Sequence, residues 1–324
     1  MSGINSFCMF RPYFSPSTEA GVLRISIALT LLLTVLGVFF GILAASLTLL
    51  FDAGYELIDV LMTGLALLVA RLIAASTSAS ASNNHQLAER FNMGFWHLEP
   101  MVLAMNGLLL MAASLYGLFH ALDSILGGGR QPVFGYAILF AAISLVIELG
   151  AAAFMASANR RIHSEFLTLD ARSWLMSSGI TLAYLLAFGF GLLADGTRMA
   201  WLTPYIDPVA LGIVCLVVLP LPLGTVRRAL QDILMVTPSD LKQHVDEVAR
   251  ASVQRYGFAS HRANVARVGR GQQIELYFLV SKDWPARALA EWDRIRDEIS
   301  EAIGGDTPDR WLMIVFTTDP EWAQ

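Results

Sequence analysis

Charge is what this chain has least of. Only 15% of its 324 residues are Asp, Glu, Lys or Arg, against about 25% in an ordinary soluble domain. With 55% hydrophobic residues and a mean hydropathy of +0.56, most of the length is unsuited to water and points to a lipid bilayer as partner. The net charge of −5, without a basic stripe, argues against nucleic acid. Cysteine is almost missing too. Cys8 and Cys215 are too few and too distant for a disulfide framework or a cysteine zinc motif, and both read as free thiols. No Gly-x-Ser-x-Gly elbow, His-Glu-x-x-His or phosphate-cradling glycine loop occurs, and GGGR at 127–130 is a bare turn. Nothing therefore supports an enzyme or a resident cofactor. The N-terminal stretch carries Pro, Ser and Glu where a leader would have basic and apolar regions, so residues 1–20 are expected to form a short polar tail.

Long apolar runs are what the chain does have. Runs of membrane length lie at about 22–44, 48–74, 99–122, 133–156, 170–194 and 206–230, predicting six transmembrane helices over 21–238. Arg11, Arg24, Arg71, Arg90, Arg160, Arg161, Arg172, Arg227 and Arg228 would lie on or near one side, and Arg130 and Arg198 on the other. That bias predicts cytoplasmic termini, in a multi-pass protein of a bacterial inner membrane. After Pro238 the text turns polar. Residues 239–324 read as helix (opened by Ser239), a hairpin turning at GRG, a helix ended by Gly304 and Gly305, and a strand, WLMIVFTTD. This α-β-β-α-β order predicts a small cytoplasmic α+β, ferredoxin-like domain.

The run at 46–74 carries acids: Asp52, Glu56 and Asp59. A carboxylate in hydrocarbon is costly and normally faces a bundle interior or a watery cavity. At about 100° per residue the three fall within roughly a quarter-turn of one another. Such a row is by default a site for a cation or for protons. Glu148, midway along ISLVIELGAAAF, is a further acid at membrane depth. Asp52 reads equally as a structural acid near a helix end, and Asp207 chiefly as one. Glu99 opens the third run, where the helix dipole favours an acid. The tail histidines His244 and His261 lack metal-site spacing.

Gly41, Ser46, Asp52 and Asp59, in GILAASLTLLFDAGYELID, resemble the G-x4-S-x5-D-x6-D signature of the cation diffusion facilitators, a family of divalent-metal/proton antiporters. Phe91, Gly94 and Glu99 resemble that family's opening of the third span, and Asp207 and Pro238 its sixth-span D-P and the boundary before its tail. The resemblance implies a homodimer of six-span chains with cytoplasmic tails. It also implies one divalent cation held between the second and fifth spans by pairs of ligands four residues apart. By position those pairs are Tyr55 with Asp59 and Ser173 with Ser177, of which only Asp59 is the usual ligand type. One outcome is a site rebuilt from neighbouring oxygens, adding Glu56, Asp52, Asp170 and Glu148. Carboxylates and hydroxyls without imidazole suit manganese, magnesium or ferrous iron better than zinc, although zinc, manganese, iron, cobalt and magnesium are not distinguished. The other outcome is a transport-inactive scaffold or sensor. Transport is favoured, because buried acids cost stability unless they serve a function. In transport, one set of carboxylates would hold cation and protons in turn: burial favours the protonated form and a bound metal the ionised one.

Overall fold

The computed structural model describes residues 18–78, 95–162, 165–305, 307 and 309–323. Cys8, Phe91 and Gly94 lie outside them. Nine α-helices run through the described chain: α1 (Glu19–Ala44), α2 (Leu47–Ser78), α3 (Leu98–Leu126), α4 (Phe134–Ile162), α5 (Glu165–Ala194), α6 (Thr203–Val218), α7 (Leu223–Ile233), α8 (Ser239–Tyr256) and α9 (Leu289–Ile303). Three strands accompany them: β1 (Ser260–Val268), β2 (Gly271–Leu279) and β3 (Arg310–Thr317). Two compact units form: Met1–Gly64 with Asn106–Leu223, and Leu65–Met105 with Gly224–Gln324. The composition change at 238/239 falls inside the second.

Among the described residues, five stretches are long and apolar enough to cross a membrane: Gly21–Ala44, Leu98–Leu126, Phe134–Ile162, Asp170–Ala194 and Ala200–Ile233. The chain is a membrane protein. The second expected crossing, α2, is not in that set. The sixth run differs from expectation, since 206–230 is not one helix. Pro220 and Pro222 sit in the turn between Val218 and Leu223, where two prolines in three residues remove two donors from the helical ladder and crowd the preceding turn.

In the first unit α4 and α5 pack most extensively, with α1 against α4 and α6 against α5. Phe134, Phe140, Tyr184 and Phe188 fill the core between them. The short α1–α2 connection is built tightly. Ala45 adopts a left-handed conformation (φ 51°), its N–H and that of Ser46 closing on the last carbonyls of α1. A Cβ at Gly41 would come within 2.9 Å of Leu50, so only glycine admits this approach. Asp207 of α6, fully buried, then caps α2. Its carboxylate accepts from Ser46 Oγ (2.5 Å), Leu47 N (2.8 Å) and Thr48 N (3.3 Å), satisfying amides that a helix start leaves orphaned.

In the second unit β1 and β2 pair antiparallel across the expected glycine turn, Val268 opposite Gly271. β3 joins β2 in parallel, Ile274 opposite Leu312, with α9 as the crossover that parallel pairing requires. Alternate strand residues Val265, Ile274, Leu276 and Phe278 meet Val245 and Ala249 of α8 and Ile295 and Ile299 of α9. The α-β-β-α-β order is present. Ser239 is the first residue of α8, with Pro238 at the cap position, one residue from expectation and within the usual fraying of helix ends. The same unit holds the start of α3, where Arg270 of the hairpin turn donates from Nε to Glu99 Oε2 (2.9 Å).

Candidate cation site

The acids of α2 do not all face one way. Glu56 turns to α1 and accepts from Thr34 Oγ1 at 3.2 Å. It also lies in the electrostatic field of Asp52 and Glu148, and more weakly of Asp59. Glu148 of α4 is 2% exposed. Its Oε1 accepts from Thr181 Oγ1 of α5 at 2.9 Å, and its Oε2 is buried with no protein partner among the described residues. Asp52 faces Tyr184 of α5, although the Tyr184 hydroxyl makes no hydrogen bond of ordinary geometry. Asp52, Glu56 and Glu148 thus lie within electrostatic reach of one another among α1, α2, α4 and α5, Thr34 bonding Glu56, Thr181 bonding Glu148 and Tyr184 near Asp52.

The remaining residues of the expected set lie elsewhere. Asp59 is exposed and accepts a long bond (3.4 Å) from Asn106 Nδ2 of α3. Tyr55 packs with Phe51, ring centroids 6.0 Å apart, against an apolar core. Asp170 stands with Ser26 and Trp174, where the Trp174 indole donates to Ser26 Oγ at 2.9 Å. Ser173 is exposed and Ser177 half-buried. Asp207 serves the helix start described above.

Among the described residues no three of His, Cys, Asp and Glu form a ready-made metal cage. A cation at Asp52, Glu56 and Glu148 would therefore also draw on hydroxyl or carbonyl oxygens, or on a closer arrangement of the helices. Such a donor set is hard and oxygen-only. Thr34, Thr181 and Tyr184 were not foreseen from sequence. The one signal they offered was a polar atom in the middle of an apolar run.

By class the chain is a many-helix membrane protein, with carboxylates at membrane depth of the kind that mark a candidate ion site. Its family is narrower. A model of the cation efflux transmembrane domain matches residues 23–234, well over half the chain, and the chain belongs to that family, the cation diffusion facilitators. Its members are membrane cation transporters, not enzymes. A comparison with curated proteins finds no match.

Proposed function

We propose that this chain exports a divalent cation in exchange for protons by alternating access, with Asp52, Glu56 and Glu148 at the centre of the path. The observation that carries the reading is Glu148: one oxygen held by Thr181, the other buried and unpartnered, with two further acids near it. Three carboxylates at membrane depth with no basic partner among the described residues need a counter-charge, supplied either by protons or by a doubly charged ion. Asp59 with Asn106 would receive the ion on its way to or from this cluster. Asp170, Ser173, Ser177 and Tyr55 then hold helices and take no direct part.

The same reading makes α2 a sixth span. At 1.5 Å per residue its 32 residues extend about 48 Å, ample for a bilayer. Leu57, Leu61, Leu68 and Leu72 are exposed in a row suited to lipid. Six crossings would put both termini on one side, the cytoplasm by the arginine bias, and the tails would pair two chains as a homodimer.

The test is metal-dependent proton flux in proteoliposomes with zinc, manganese, iron, cobalt and magnesium. Glu148→Gln and Glu56→Gln are each expected to abolish flux for the transported metal, with dimer elution unchanged. Normal flux in both would overturn the site. Silence of the unaltered protein with every metal would favour the transport-inactive scaffold.

A further inference from the structure

A cavity of about 580 Å³ opens between α4 and α5, running from Leu149, the residue after Glu148, to Asn159 and Arg160 on α4 and from Leu175 to Thr168 on α5. Its walls are unlike those of the carboxylate cluster. Leu149, Ala152, Ala153 and Leu175 line it with apolar groups, and Arg160 and Arg172 line it as well, Arg172 one turn of α5 from Leu175. Leu149 and Arg160 are eleven residues apart on one helix, about 16 Å along its axis, the span of a good part of an acyl chain. Asn159 Nδ2 donates to Thr168 Oγ1 at 2.7 Å, tying the two helices together next to Arg160.

Charge decides what fits. Both arginines are exposed and neither forms an ion pair among the described residues. Among the described residues no carboxylate lines the cavity, and Asp170, two residues from Arg172, lies by Ser26 and Trp174. Guanidinium groups match phosphate geometry. Basic pockets between transmembrane helices on the cytoplasmic side suit anionic lipid headgroups, and the arginine bias places Arg160 and Arg172 on that side. Alanines leave the groove open where larger side chains would fill it.

We infer that this groove is a binding site for an anionic phospholipid, its phosphate held by Arg160 and Arg172 and one acyl chain lying over Ala152, Ala153 and Leu149.

The full chain, delipidated in detergent and then exposed to mixed vesicles of phosphatidylcholine and phosphatidylglycerol, is examined by native mass spectrometry. Retained phosphatidylglycerol is expected on the unaltered protein and reduced roughly thirtyfold in affinity in the Arg160→Gln/Arg172→Gln variant. Arg227→Gln/Arg228→Gln removes equal charge from α7 and is expected to retain the lipid. Ala153→Phe keeps both arginines, blocks the apolar lining and is expected to lose it. Equal loss in both arginine variants would show general charge attraction and overturn the site. Retention by Ala153→Phe would overturn the groove as the seat of the chain. Preferential retention of phosphatidylcholine, or occupation of the groove by a second copy of the chain, would overturn the inference as well. Unchanged thermal unfolding confirms that each variant is folded.

Discussion

At the scale of single residues, Asp207 illustrates how a buried acid can be structural. It accepts from Ser46, Leu47 and Thr48, and Thr48 Oγ1 in turn donates to the Asp207 carbonyl at 2.8 Å. Asp207→Ala would orphan the start of α2 and is expected to cost about 2 kcal/mol or more, read as a lower unfolding midpoint in detergent. Glu148, equally buried, has no such set of donors, and its replacement by Gln should silence flux while leaving that midpoint near normal. In the tail, His261 is held below the ordinary imidazole value, first because burial disfavours its charged form, with Asp246 at 3.8 Å opposing. The folded tail therefore binds this proton less readily than the unfolded chain. The stability linked to it is complete above the unfolded pKa and is lost as pH falls from there toward the folded one. Histidine-selective NMR of the full chain should place the His261 midpoint below that of an exposed histidine. A midpoint at or above it would contradict the packing described.

Elements differ in how openly the sequence announces them. The tail was legible because β1 and β2 alternate buried residues with more exposed ones, β3 begins in the same two-residue rhythm, and glycines mark the turns. The break between α6 and α7 was not, since Pro220 and Pro222 lie in a run whose apolarity continues across them. The acids of α2 were legible because membrane depth makes any carboxylate conspicuous. Their division between α1 and α3 was not, because the azimuth of a helix is set by its neighbours and not by its own periodicity. Contact between the start of α3 and the hairpin was equally hidden. A Cβ at Gly271 would come within 2.6 Å of the Trp96 ring, and Glu99 draws the Arg270 pKa upward through their hydrogen bond. Gly271→Val should dislodge Trp96, seen as a red shift of its fluorescence in a protein whose other tryptophans are replaced. The Glu99–Arg270 pair is part-exposed, so a double-mutant cycle should yield only about 0.5 kcal/mol.

For the whole molecule, the proposed topology has a direct check. After Cys8 and Cys215 are replaced by Ser, a cysteine at Asp195 should react with an impermeant thiol reagent from outside cells. One at Ser281 should react only after lysis. Labelling of both from the same side would eliminate six crossings. The family was legible from Gly41, Ser46, Asp52 and Asp59, yet the structure gives these four residues separate tasks: a close approach, a cap, a core acid and an exposed acid.

The bond from Asp207 to the beginning of α2 has a mechanical meaning. It pins one end of that helix to α6, so any tilt of α2 has its fulcrum there. Glu56 sits nine residues along, about 14 Å from the pinned end, and Asp59 farther still. A swing too small to strain the pinned amides would carry Asp59 through the longest arc of the three acids of α2, Asp52 moving least because it is nearest the anchor.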